Sequence, residues 1–377
     1  MDNTLHWLWL TLKPRMNPTK ITCLLECFDS IEDIYRAKEY NNIQILTPHE
    51  KSALCDKKLD EAKKVYEKTN KCDARIITFD DENYPEQLRK IIDPPYVLYA
   101  KGEIPDWNEL FMIGVVGTRR CSDYGRMATR TLCRDLARYG VTIVSGMAKG
   151  IDAISAESAL RAGMNTIAVL GSGIDVIYPA VNTELYYSII ENGVVLTEYP
   201  PGSQAMGHHF PERNRIIAGL ARGLLVTEAP KGSGALITAE CAFKNNRDVF
   251  AVPGNIFDAQ YKGTNELIQK CAKLVTCAED IIIEYPYDAM RLKNAEPIKE
   301  KQKIKTPKTP VVDESRYDGL RDCEKKIIEL LTEKERYTDE LIRETEMPPG
   351  ELNTTMILLE MNGFVTRLPG NSYKLKI

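Results

Sequence analysis

Between residues 111 and 173 the chain repeats one local pattern three times: a short apolar run, a glycine-containing turn, then a helical stretch. Phe111-Met112-Ile113-Gly114-Val115-Val116 runs into Gly117-Thr118-Arg119-Arg120-Cys121-Ser122-Asp123-Tyr124-Gly125. Val141-Thr142-Ile143-Val144-Ser145-Gly146 leads to Lys149-Gly150-Ile151-Asp152, and Ile167-Ala168-Val169-Leu170 to Gly171-Ser172-Gly173. Short apolar runs bounded by turns mark strands buried on both faces, and strands alternating with helices make parallel crossovers. The fold class that follows is α/β, a doubly wound, mostly parallel sheet whose strand-to-helix turns gather on one edge. Strands are expected at 111–117, 141–145, 166–171, 194–198, 223–228, 248–252 and 273–276.

Such a sheet fills residues 106–286 and leaves material at both ends. Residues 1–75 read as a small helical bundle. Asn17-Pro18 sets an N-cap before a proline at the first helical position, and Thr47-Pro48-His49-Glu50 is a capping box. Lys57 to Lys68 is an amphipathic helix with Leu59, Ala62 and Val65 on one face. Whether this module packs, binds a protein or touches DNA backbone stays open. Residues 76–105 form a connector with a strand or two, since Pro94-Pro95 excludes a helix there. Residues 287–317 are rich in Lys, Pro, Thr and Gln with almost nothing apolar, the composition of a flexible linker. After it, 318–377 reads as helices at 320–331, 338–345 and 350–362 and strands at 364–367 and 373–376 around Pro369-Gly370-Asn371, a winged helix. Its third helix, the one that ordinarily enters a major groove, has no Lys or Arg from Pro348 to Asn362, and 318–377 holds nine basic against twelve acidic residues. That charge suits a protein partner better than duplex DNA.

Four pieces at the strand ends carry chemistry. Gly117, Thr118, Arg119 and Arg120 offer N–H groups, a hydroxyl and guanidiniums, a set that holds phosphate bidentately. Lys149 stands in the second turn. Arg213, Asn214 and Arg215 put two arginines around an amide at a helix start, either for an anion or packed against Glu212 or Glu228. Ser233 and Gly234 open a helix whose N-terminus can take an anion. Arg126, Arg130, Arg134 and Arg138 make a basic stripe on the helix after the first turn, which reads as a solvated face towards its far end.

The formal charge of -4 gives no bulk attraction to nucleic acid, so a polyanion site has to be local. No complete G-x-G-x-x-G or G-x-x-x-x-G-K-[ST] is present. The ten cysteines have no zinc spacing and read as reduced thiols. His208 and His209 read as loop residues. No cofactor and no metal are expected. Leu5 to Leu12 is too short for a bilayer, so no membrane contact and a cytoplasmic location are expected.

These pieces in this order resemble the DprA/Smf family of DNA-processing proteins. The likeness runs from Asn83 to about Ile283 and includes Ala168-Val169-Leu170-Gly171, Tyr178-Pro179, Phe210 to Gly219, Phe250-Ala251-Val252-Pro253-Gly254 and Gly263-Thr264-Asn265-Glu266-Leu267-Ile268. The helical start, SAM- or helix-hairpin-like, and the winged-helix end with Leu359-Glu360-Met361-Asn362-Gly363 look like the family's long form. The resemblance implies a Rossmann-like, non-enzymatic core that binds single-stranded DNA, forms a homodimer, protects incoming DNA and helps load a RecA-type recombinase in natural transformation and recombination. It assigns Arg119 to a phosphate pocket, with Lys149, Arg213-Asn214-Arg215 and Ser233-Gly234 as further positions. The chain departs from the pattern at Ala156, where a histidine is common, at Cys271, where glycine is usual, and at Ala235, where a second serine stands. A more distant likeness to LOG-type nucleotide phosphoribohydrolases gives the alternative of a nucleotide-binding or nucleotide-hydrolysing protein, though Lys231-Gly232-Ser233-Gly234 lacks that family's Pro-Gly-Gly-x-Gly-Thr turn.

Overall fold

Five helices open the chain: α1 (Asp2–Thr11), α2 (Pro18–Cys27), α3 (Ile31–Arg36), α4 (Pro48–Cys55) and α5 (Asp60–Lys71). Their starts follow the caps written in the sequence. The Asn17 side chain accepts the Lys20 N–H at 3.0 Å, and Thr47 and Glu50 close a reciprocal capping box. Trp7, Leu8, Trp9 and Leu10 are all buried, so the second half of α1 is buried on every side. The Trp7 ring stacks on Tyr96 at 5.5 Å and its Nε1 donates to Asp80 at 2.8 Å. The helical module thereby shares one apolar core with the sheet. This computed structural model describes residues 2–288, 321–333, 336–345, 347–368 and 372–375.

Next come β1 (Arg75–Thr78), α6 (Glu86–Arg89), β2 (Val97–Gly102), β3 (Met112–Val116), α7 (Asp123–Arg138), β4 (Thr142–Ser145), α8 (Ile151–Arg161), β5 (Thr166–Val169), α9 (Thr183–Asn192) and β6 (Gly193–Thr197). The unit closes with α10 (His209–Leu220), β7 (Gly223–Val226), α11 (Gly234–Lys244), β8 (Asp248–Ala251), α12 (Lys262–Gln269), β9 (Lys273–Leu274) and α13 (Glu279–Ile282). All the expected strands form. They join in the order β1-β2-β6-β5-β4-β3-β7-β8-β9, parallel from β6 to β9. The stretch read as a connector contributes β1 and β2, which pair antiparallel with each other and with β6 and so belong to the sheet itself.

Alternate residues of the central strands face opposite ways, as the pleat requires. Ile113, Val115 and Ile143 pack with Leu132 and Leu136 of α7, and Met112, Val144, Ile167 and Leu196 pack with Ile216, Ile217 and Leu220 of α10 and Ala239 of α11. Strand order reverses between β3 and β7, which makes the carboxyl ends of those two strands the crevice where a doubly wound sheet takes ligands.

The chain divides into two units, Met1–Lys299 and Glu300–Ile377. The expected linker lies outside the described residues from 289 onward, as does the Pro369-Gly370-Asn371 turn. In the second unit, helices Asp322–Glu333, Thr338–Thr345 and Pro349–Met361 pack Ile327, Leu331, Leu341, Leu352, Met356 and Leu359 around Val365 and Tyr373. Strands Val365–Leu368 and Ser372–Leu375 pair antiparallel, and a third strand that the sequence reading missed, Arg336–Tyr337, pairs with the latter. This is a winged helix, and its third helix leaves Ile357 and Leu358 exposed beside Glu351.

Candidate nucleic-acid interface

The turn after β3 is braced from β7. The Thr118 N–H donates to the Glu228 carbonyl at 2.8 Å, and Thr118 Oγ1 accepts the Arg120 N–H at 3.2 Å. Thr118 is buried and Gly117 half-buried, so the hydroxyl expected for a ligand sits inside the turn, shaping it. Arg119 and Arg120 emerge exposed. The Arg119 guanidinium lies over the Phe210 ring, 5.1 Å from its centroid, and Phe210 in turn packs against Tyr178 at 5.6 Å. A cation on an aromatic face keeps its N–H edge free to bond outwards.

Lys149 and Gly150 abut this turn. A Cβ on Gly150 (φ 78°) would lie 2.4 Å from the Thr118 carbonyl oxygen, so only glycine lets the two turns touch. The Ile151 N–H donates to the same carbonyl at 3.2 Å. Lys149 itself is exposed. Behind both turns sits Asp152, buried, where desolvation raises its carboxyl and the Arg213 and Arg119 charges and the Ala148 N–H pull it back.

Arg213 is 3% exposed. Its Nη1 donates to Gly146 O at 2.8 Å and also to Val169 O, tying the carboxyl ends of β4 and β5 to α10. Burial pushes its guanidinium down to about 10, against the opposing pull of Asp152. Arg213 is therefore a buried strut between these strand ends, and its guanidinium does not stand at the surface. Arg215 makes a two-pronged ion pair with Glu198, at 2.6 and 3.1 Å, in place of either partner expected from sequence. Its guanidinium is half-buried and committed to that carboxylate, with Nη1 also donating to Glu212 O at 3.4 Å. Asn214 is half-buried and its Nδ2 donates to Gly234 O at 3.4 Å, joining α10 to the start of α11. Ser233 caps α11, its Oγ accepting the Ala235 N–H at 3.3 Å, and Gly234 is exposed beside it.

The fold thus gathers Arg119, Lys149, Asn214 and the Ser233-Gly234 turn on one edge and withdraws Arg213 and Arg215 below it. Arg126, Arg134 and Arg138 of the basic stripe pair on the surface with Asp123 or Asp135. His209 begins α10 instead of lying in a loop and stacks on Tyr199 at 3.9 Å. No group of three metal-ligating side chains converges among the described residues. On α11, the helix after the turn that lacks the LOG-type pattern, Glu240 is exposed. The sequence reading missed Phe210 as the seat of Arg119 and Glu198 as the partner of Arg215. Glu228, named in the sequence reading as a possible arginine partner, is fully buried and instead accepts from the Ser122 N–H and the hydroxyls of Ser122 and Tyr261.

The family model of DNA recombination-mediator protein A matches residues 75–286, and that of the DprA winged helix domain matches 313–371. The DNA processing protein DprA of Streptococcus pneumoniae is 45% identical over 207 residues, covering 55% of this chain and 73% of the relative. Protein Smf of Synechocystis is 35% identical over 319 residues, 80% of each chain. Among solved structures, the X-ray structure of S. pneumoniae DprA superposes with a TM-score of 0.66 at 35% identity, covering 75% of this chain and 98% of that one. Helicobacter pylori DNA processing protein A, described for its single-stranded DNA binding mode, superposes with a TM-score of 0.52 at 31% identity over 57% of this chain and 96% of that one. No described helix is long and apolar enough to cross a membrane. The chain belongs to the DprA/Smf family of DNA recombination-mediator proteins, in the form that carries a C-terminal winged helix.

Proposed function

We propose that the protein binds single-stranded DNA without catalysing a reaction, by seating a backbone phosphate on Arg119 between the turn after β3 and the Lys149-Gly150 turn. The observation that carries this is exposed Arg119 with its guanidinium over the Phe210 ring, in the turn that abuts exposed Lys149, with Arg213 bonding the strand ends beneath. Two cations and an aromatic face suit a sugar-phosphate chain with loose sequence preference. The Helicobacter pylori relative's described single-stranded DNA binding supports the same ligand. As a homodimer in the cytoplasm, the protein protects incoming strands and helps load a RecA-type recombinase during natural transformation and homologous recombination. Residues 1–75 and 318–377 serve this as modules for packing or for protein partners.

Fluorescence anisotropy of a labelled oligothymidylate against a matched duplex, across a range of salt, tests the reading. The expected result is preference for the single strand, with a log-log salt slope of about -0.7 per phosphate neutralised. Equal affinity for the duplex, or binding indifferent to salt, overturns it.

A further inference from the structure

A pocket of about 480 Å³ opens at the point of strand-order reversal, on the β8 side of β3, with Ser122, Tyr124, Gly254, Asn255 and Tyr261 in its walls. Its floor is fixed. The buried Glu228 carboxylate holds Ser122 and accepts the Tyr261 hydroxyl at 3.1 Å. Tyr124 meets Tyr261 edge to face at 5.5 Å and its hydroxyl donates to Pro253 O at 3.1 Å, so the two rings form one braced wall. The loop opposite turns at Asn255, whose side chain accepts the Phe257 N–H at 3.0 Å, and lifts Ile256 and Phe257 to its tip, 73% and 89% exposed. Tyr124 is 47% exposed. Large apolar groups held in water around one pocket mark a site that something covers.

The lining contains no Lys or Arg, so it does not attract a phosphate. It offers the Tyr124 ring face with the Asn255 amide and the Asp258 carboxylate, a stacking surface beside groups that can bond a base edge. Ser122 lies three residues beyond Arg119, so the pocket and the proposed phosphate seat share one strand-to-helix turn. We infer that this pocket is a base slot, taking one nucleobase of the bound strand against Tyr124, with Phe257 on the exposed loop tip beside it. The inference rests on the single-strand reading above and adds to it a place for the base.

The test compares two oligonucleotides of equal length, one oligothymidylate and one with abasic tetrahydrofuran residues and the same phosphates, on the full-length protein. Wild type should bind the first more tightly. Phe257→Ser, which alters an exposed loop tip, and Phe257→Ser with Tyr124→Ala should weaken oligothymidylate binding, the double variant by about 10- to 100-fold. Neither should change abasic binding or the salt slope. A 2-aminopurine in the strand should be quenched by wild type and not by the double variant. Wild-type protein that binds neither oligonucleotide removes the single-strand reading and the slot with it. Wild-type binding that ignores the loss of the bases, or variants that weaken both oligonucleotides alike, removes the slot alone. Thymidine monophosphate that reverses the quenching at micromolar concentration reassigns the pocket to free nucleotides and overturns the inference.

Discussion

Ser122 and Glu228, 106 positions apart, are locked together where the sheet reverses: the Ser122 N–H reaches both carboxylate oxygens at 3.0 and 3.1 Å and its Oγ donates at 2.8 Å. The Glu228 carboxyl is thereby fixed under the N-terminus of α7. Space for it exists because residue 125 has no side chain. A Cβ on Gly125 would stand 1.7 Å from Glu228 Oε2.

Gly125→Ala should therefore destabilise the protein by roughly 1–3 kcal/mol, the range for overpacking a rigid interior. Helix propensity alone argues the opposite sign, because alanine is favoured over glycine inside a helix by about 1 kcal/mol. Urea unfolding of the variant decides between them. A rise in the midpoint would show that Glu228 swings aside freely and does not brace the turn.

Arg119 and Arg213 differ in burial, and their alanine variants should fail differently. Arg119→Ala should weaken single-strand binding by about 10-fold or more, the cost of a charge-assisted contact, with the unfolding midpoint unchanged. Arg213→Ala removes its bonds to two strand-end carbonyls and the larger of the two positive charges acting on buried Asp152, and should cost roughly 3–5 kcal/mol of stability. Anisotropy together with urea unfolding on both variants separates the roles. Arg213→Ala with full stability and lost binding would put Arg213 at the surface of the pocket after all.

The strands were legible because each parallel strand buries both faces and so leaves an unbroken apolar run, as at Ile143-Val144 or Leu224-Leu225-Val226. Their order was not, since β2 meeting β6 is a contact across some hundred residues with no local trace. Arg119 was legible for a related reason: a residue in a strand-to-helix turn of a doubly wound sheet stands at the carboxyl edge wherever the strand lies. Arg213 was misplaced although the signal was present. Arg213, Ile216, Ile217 and Leu220 fall at i, i+3, i+4 and i+7, which puts the arginine on the buried face of α10. Its charge outweighed its phase in the reading. The pairing of Arg215 with Glu198 had no such signal, because β6 and α10 are brought together only by the sheet.

The helical module carries its own pH dependence. Lys20 at 2.7 Å, and after it the Thr47 N–H, pull the Glu50 carboxyl down to about 2. A folded value below the unfolded one adds stability that is complete above pH 4.5 and disappears as pH falls towards about 2. Wild type should therefore be more heat-stable than Glu50→Gln at neutral pH, with the gap closing between pH 4.5 and 2. A gap that stays constant across that range would mean that the carboxylate's charge contributes nothing and only its hydrogen bond to the Thr47 N–H matters.

Cys271 has φ 100°, a backbone conformation that costs a side chain of its kind about 1 kcal/mol or more, and it stands where glycine is usual in the family the chain resembles. The turn is held there from both sides: the Cys271 N–H donates to Ile268 O at 3.4 Å and the next N–H, of Ala272, to Leu267 O at 2.9 Å, which leaves no room to relax φ without breaking the exit from α12 into β9. The thiol is exposed, so its removal opens no cavity. Cys271→Gly relieves the strain, and the freedom that glycine adds to the unfolded chain offsets part of the gain. The net expectation is a stabilisation of about 0.5–1 kcal/mol in urea unfolding, with Cys271→Ala, which keeps the Cβ, giving none of it. Equal gains from both variants would trace the effect to the thiol and leave the left-handed backbone without a cost.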